Sequence, residues 1–364
     1  MENFDINQVG LKNGKIFGLP FEYENAKVII QPIPWEVTVS YQSGTAKGPK
    51  AILEASPQLD FFDFLMPNAW EKGIFMLPID KELYKLNKFL REQVEDYIAS
   101  IENSSANAYE IYDELIEQIN KECKLLNNRI EQQTLQILHD NKIPGLLGGD
   151  HSTPLGNIKA VIQKYPEVTI LHIDAHADLR PAYEGFTYSH ASIMYNVLEE
   201  TSIKKIVQVG IRDFCHQEYE LSQSDHRILT FYDKKLKELY FQGRPWGSIV
   251  LDIIKNLGHE VYISLDIDAL QPYYCPDTGT PVPGGLSFDE VTYLIDSVVK
   301  SGKKIVGFDL VEVAPNKKNP INEIVGARLL YKLCVACIAS EGNKPKIVKK
   351  KPNSNTENSE IIEV

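Results

Sequence analysis

Along the chain, short runs of consecutive apolar residues alternate with longer stretches where apolar residues recur every three or four positions. The first run is Lys27-Val28-Ile29-Ile30-Gln31-Pro32-Ile33. Its lack of period-two alternation predicts a strand buried on both faces. A turn-rich segment, Ser43–Pro49, and a short helix from about Lys50 to Ala55 are expected next. From about residue 81 to 141 the pattern changes. Ile111, Leu115 and Ile119 stand at helical spacing among Glu, Lys, Leu and Gln. Two or three helices with one polar face are expected there, broken near 103–107. No chemistry is legible in that region, so packing or oligomer contacts are its expected roles. Five more apolar runs follow: Ile143–Leu147, Val168–Ile173, Ile206–Val209, Val261–Leu265 and Ile305–Phe308. Helical stretches lie between most of them. Strands alternating with helices predict one three-layer α/β/α domain over residues 1–340, with a twisted, mainly parallel central sheet. Residues 343–364 turn to Lys, Asn, Ser and Glu, and a disordered tail is expected.

Charge narrows the functional classes. Lys and Arg number 38 against 50 Asp and Glu, a formal net charge of -12. That argues against non-specific nucleic-acid binding, which needs a basic face to neutralise phosphates, and it is compatible with a small cationic substrate. Five scattered cysteines do not form a disulfide framework. The Cys334-Val335-Ala336-Cys337 pair sits inside an apolar helical stretch and reads as core. The amino terminus lacks the charged and apolar regions of a signal peptide. No apolar run is long enough to span a bilayer. A soluble cytoplasmic protein with no membrane partner is expected.

In a mainly parallel sheet, ligands bind at the carboxyl ends of the strands. Four polar clusters stand there: Gly148-Gly149-Asp150-His151-Ser152, Asp174-Ala175-His176-Ala177-Asp178, Asp266-Ile267-Asp268 and Asp309-Leu310-Val311-Glu312. Alternate residues of an extended segment point the same way, so Asp174, His176 and Asp178 can converge, as can Asp266 and Asp268. Crowded carboxylates require compensating positive charge, which a metal pair supplies. Mixed imidazole and carboxylate donors suit Mn²⁺, Co²⁺, Ni²⁺ or Zn²⁺ better than Ca²⁺. Taken alone, Asp309 reads as a turn or helix cap. His139, His216, His226 and His259 read as surface or packing residues. His172 is expected to face away from Asp174, as a core or supporting histidine.

Gly148-Gly149-Asp150-His151, Asp174-Ala175-His176-Ala177-Asp178 and Ser264-Leu265-Asp266-Ile267-Asp268-Ala269 resemble, in order, the three metal motifs of the ureohydrolase family, which includes arginases and agmatinases. The resemblance runs from about Lys27 to Ser340, apart from the helical region before Gly145. It implies an arginase-like fold and hydrolysis of a guanidino C–N bond to urea and an amine. It also implies two divalent ions, Mn²⁺ first and Ni²⁺ as the alternative. Asp174 and Asp266 would bridge them. His151 and Asp178 would complete one coordination sphere, His176 and Asp268 the other. A hydroxide held between the ions is the implied nucleophile, with Asp178 accepting a hydrogen bond from it. Glu312 resembles the carboxylate that binds the guanidinium. His190, in Tyr188-Ser189-His190-Ala191-Ser192, resembles the histidine that carries a proton to the leaving amine; its other reading is a packing histidine. A homotrimer or homohexamer is implied.

Three departures stand near the implied pocket wall. They are Ala191-Ser192-Ile193-Met194, where many members have Gly-Thr-Pro-Phe, Ala314 after Glu312-Val313, and Gln271 after the D-x-D motif. The enlarged helical region resembles the guanidine-hydrolysing, agmatinase-like branch. Agmatine is the leading substrate, with guanidine, guanidinobutyrate and formimidoylglutamate as alternatives. Two other readings are a single-zinc, histone-deacetylase-like amidohydrolase and an inactive regulatory relative. The full set of six ligand-type residues counts against both.

Overall fold

The computed structural model describes residues 5–103 and 107–344. Eight strands form one sheet: β1 (Val28–Ile33), β2 (Ile74–Met76), β3 (Ile143–Gly148), β4 (Thr169–Ile173), β5 (Lys205–Val209), β6 (Ile228–Phe231), β7 (Glu260–Asp266) and β8 (Lys304–Val311). Their spatial order is β2-β1-β3-β8-β7-β4-β5-β6. Every pair is parallel, as near-continuous apolar runs require. The six expected strands are present. The two the runs did not reveal, β2 and β6, are the sheet's edges. One is three residues long and the other is half-buried at three of its four positions.

Eleven α-helices lie among the described residues. The first six are α1 (Gly48–Ala55), α2 (Lys81–Glu102), α3 (Ala108–Ile111), α4 (Asp113–His139), α5 (Leu155–Lys164) and α6 (Ile193–Glu200). The rest are α7 (His216–Ser224), α8 (Asp233–Phe241), α9 (Trp246–Lys255), α10 (Phe288–Lys300) and α11 (Ile321–Ser340). Alternate strand residues enter separate cores. Leu171 and Ile173 pack into the layer of α9, α10 and α11, whereas Ile170 packs into the layer of α2, α4, α5 and α6. The sequence therefore builds three layers. Cys334 and Cys337 are buried in α11, and burial pushes both thiols up, so neither is poised as a thiolate.

The helical elaboration begins at Asp80, whose carboxylate caps α2 by accepting from the backbone N–H groups of Glu82 and Leu83. Its buried stripe is Leu83, Asn87, Leu90, Arg91, Val94, Tyr97 and Ile98. Two polar residues thus interrupt an otherwise apolar face. The expected tail over 343–364 falls almost wholly outside the described residues.

Candidate metal centre

The carboxyl ends of β3, β4, β7 and β8 lie side by side at the middle of the sheet, and each delivers one of the polar clusters. Past β3, Gly149 lets the chain dock against the residues following β1. A Cβ there would stand 1.9 Å from the Trp35 carbonyl oxygen. Asp150 then folds the turn, accepting from the Ser152 N–H and hydroxyl at 3.0 and 2.5 Å. This leaves His151 pointing into the cluster.

His151 Nδ1 lies 2.9 Å from Asp174, 3.1 Å from Asp178 and 3.3 Å from Asp266, measured to carboxylate oxygens. His176 Nδ1 lies 3.0 Å from Asp268 and 3.6 Å from Asp174. The six candidate ligands therefore form two groups that share Asp174. Only His176 among them is not fully buried. The extended path expected through 174–178 does not persist: Asp178 has φ 54°, and Glu312, with φ 64°, is also left-handed. Non-glycine residues in this region cost free energy, and such strain concentrates at functional sites.

The donor set fits a cation. Ser264 donates its hydroxyl proton to Asp309 Oδ1 at 2.9 Å, so its oxygen accepts from His151 Nε2–H at 3.0 Å. The ring's other nitrogen, Nδ1, faces three carboxylates and is the one left to ligate an ion. Neither His151 Nδ1 nor Asp268 Oδ2 makes a well-formed hydrogen bond, although Asp174 and His176 stand 2.9 and 3.0 Å away. Buried polar atoms are seldom left unpaired, and a ligated ion would satisfy both. Burial lifts Asp178 to about 6, helped by the charge of Asp174. Burial, then Asp268 and Asp174, push Asp266 well above the carboxylate range. These acids call for positive charge between them.

Two sequence expectations are corrected. His172 does not face away from Asp174: its Nε2 lies 2.7 Å from Asp174 Oδ2. Residues two apart on a strand share a side, and alternation places the pair together. Gln208 donates to His172 Nδ1 at 3.1 Å, so the proton sits on Nε2 and is donated to Asp174. Asp309 is no cap. It lies within β8, buried, and serves Ser264.

Glu312 and His190 line the same cavity as five of the six candidate ligands, all but Asp174, with a volume of about 160 Å³. Glu312 Oε1 accepts from the His151 N–H at 2.9 Å, whereas its buried Oε2 has no partner. Burial and then the nearby Asp150 carboxyl hold Glu312 well above the usual range. His190 Nδ1–H donates to the Thr38 carbonyl at 3.0 Å, leaving Nε2 as an acceptor 3.3 Å from the Ser40 hydroxyl. Burial, followed by the charge of His176, pushes His190 down to about 3, so the ring is neutral. Farther out the cavity is lined by Arg180, Tyr183, Asp213 and Glu218. The Arg180 guanidinium lies over the Tyr183 ring, 4.8 Å from its centroid, and 3.6 Å from Glu218. Sequence reading missed these four. Arg180 and Tyr183 follow Asp178 closely enough to have been suspected, while Asp213 and Glu218 lie past a different strand.

Residues 26–336 match the family model described as the Arginase family. The chain is 32% identical over 309 residues to the N(1)-aminopropylagmatine ureohydrolase of Thermus thermophilus, covering 85% of this chain and 89% of that one. It is 31% identical over 306 residues to the agmatinase of Bacillus cereus, covering 83% and 89%. The crystal structure of the agmatine ureohydrolase of Thermoplasma volcanium superposes with a TM-score of 0.68 at 23% identity, covering 90% and 96%.

Proposed function

The chain belongs to the arginase family, hydrolases acting on C–N bonds of linear amidines, and on that premise we propose that it hydrolyses agmatine to putrescine and urea. The proposed centre holds two divalent cations, Mn²⁺ first and Ni²⁺ second, on His151, Asp174, His176, Asp178, Asp266 and Asp268. When bound, such a pair lowers the pKa of a water from 15.7 toward ~7, supplying an ionised nucleophile at neutral pH.

The chain's own residues do the rest. Glu312 binds the guanidinium through its free Oε2, because a planar cation with a fork of N–H donors matches a carboxylate edge. Asp178 accepts a hydrogen bond from the attacking water and orients it. His190, fixed as the neutral Nδ1–H tautomer, takes at Nε2 the proton released as the attacking water bonds to the guanidino carbon, and hands it at once to the amine nitrogen as the C–N bond breaks. The observation that carries this reading is the unpartnered carboxylate oxygen of Glu312. It is buried on the wall of the cavity that five of the candidate ligands line, and a guanidinium would satisfy it.

The names of the similar proteins support agmatine or its aminopropyl derivative. Asp213, an exposed carboxylate on the cavity lining, supports a substrate with a cationic tail. The amidohydrolase and inactive-relative readings find less support, since each requires a poorer ligand set than the six residues present. Assembly as a homotrimer or homohexamer in the cytoplasm is proposed with it. No helix among the described residues is long and apolar enough to cross a membrane. The test is urea release by Mn²⁺- or Ni²⁺-loaded protein from agmatine, aminopropylagmatine, guanidine and guanidinobutyrate. Turnover highest with agmatine is expected. Formamide from formimidoylglutamate, or faster hydrolysis of a compound without an amine tail, would overturn the assignment.

A further inference from the structure

The helices over 81–139 contribute no residue to the cavity lining, yet both loops that hold the His190 ring are fastened to them. On one side runs the segment 36–43. Its Thr38 carbonyl holds His190 Nδ1–H, and its Ser40 hydroxyl meets Nε2. Asn87 and Arg91, one turn apart on α2, secure that segment at both ends. Asn87 Oδ1 accepts from the Glu36 N–H at 2.6 Å. The Arg91 side chain is 9% exposed. It donates from Nη1 to the carbonyls of Val37 and Val39, and from Nε to Ser43 Oγ at 3.1 Å and Glu95 at 3.2 Å. The Thr38 carbonyl thus lies between two carbonyls gripped by one guanidinium.

On the other side stands Tyr183, its ring edge-on to His190 at 6.1 Å between centroids. The turn that carries it contains Glu184 and Gly185, both left-handed. Tyr97 of α2 donates its hydroxyl to the Glu184 carbonyl at 2.8 Å, and Asn120 of α4 donates to the Gly185 carbonyl at 3.1 Å. The imidazole is therefore held between two loops whose backbones are both tied to the helical layer.

We infer that Arg91 is a positioning residue for His190, and that the α2–α4 layer fixes the proton-carrying ring over the cavity. The inference rests on the role proposed for His190. Displacing a reacting group by ~1 Å can cost on the order of a hundredfold in rate, and the carbonyl that sets the His190 tautomer moves with the segment Arg91 grips. The guanidinium fork matters because lysine cannot reach several acceptors in one plane.

The test is a double-mutant cycle between Arg91→Met and His190→Ala in the full-length, metal-loaded enzyme. Urea release, KM and bound metal are measured for each variant. Arg91→Met is expected to lower kcat about tenfold or more with KM changed less than about threefold and metal content unaltered. Arg91→Lys should recover only part of the loss. In the His190→Ala background the same change should cost less than about twofold, since the two act as a unit. Tyr97→Phe, which deletes one hydroxyl, carries the same cycle if the arginine variant does not fold. Equal losses in both backgrounds, or lowered stability with kcat intact, would overturn the inference alone. A wild type inert toward every guanidino compound would overturn the functional reading and this inference with it.

Discussion

Changing Ser264 to alanine removes one hydroxyl from a fully buried relay between His151 and Asp309. The hydroxyl accepts from His151 Nε2–H at 3.0 Å and donates to Asp309 at 2.9 Å. Two hydrogen bonds worth ~0.5–1.5 kcal/mol each are lost, about 1–3 kcal/mol together. Without the relay the ring can carry its proton on Nδ1, where the proposed ion needs a lone pair. Loss of such supporting partners weakens metal binding roughly 10- to 100-fold, which is ~1.4–2.7 kcal/mol and agrees with the bond count. The effect should be one-sided, because in the proposed centre His151 would serve only the ion shared with Asp178. Calorimetric titration of metal-stripped Ser264→Ala with Mn²⁺ should resolve one binding step near wild-type affinity and one weakened by that factor. Two wild-type steps, or equal weakening of both, would refute the tautomer argument.

Glu312→Gln should retain two ions and the fold, yet lose ~2–5 kcal/mol of guanidinium binding, read as a KM for agmatine raised thirtyfold or more; unchanged KM would remove Glu312 from substrate binding. Glu184 offers a pH test away from the metal centre. Burial lifts it from 4.5 to about 7, so between those values the folded state holds a proton the unfolded state has released. Stability must therefore fall as pH rises through that window. Glu184→Gln should flatten the slope and gain about 1–2 kcal/mol near pH 8, after allowance for solvent screening; thermal melts at pH 5 and pH 8 read both. Gly149→Ala should fail to fold or lose metal, since its Cβ would stand 1.9 Å from the Trp35 carbonyl oxygen; a wild-type melting temperature would contradict that.

The parallel sheet was legible because strands covered on both faces must be apolar throughout, and the six runs met that demand. The edge strands β2 and β6 escaped because an edge needs neither length nor full burial. The candidate ligands were legible because they cluster within three short segments at strand ends. The support around them was harder to read. Ser264 and Asp309 meet through register between β7 and β8, which no spacing within one segment reveals. His172 was within reach, since its position two before Asp174 fixes its side. The helical layer hid its role for another reason. Asn87 and Arg91 interrupt an apolar stripe four residues apart, a signal of buried polar partners, but those partners lie about fifty residues earlier in the chain.

In the proposed centre, six side chains from three strand ends hold two cations together at one reaction site. Urea release from agmatine, followed as Mn²⁺ is added stepwise to metal-stripped protein, tests it most directly. Activity should rise to a plateau at two equivalents per chain and be abolished in Asp174→Asn at any metal loading. A plateau at one equivalent, or turnover that survives the loss of Asp174, would contradict it.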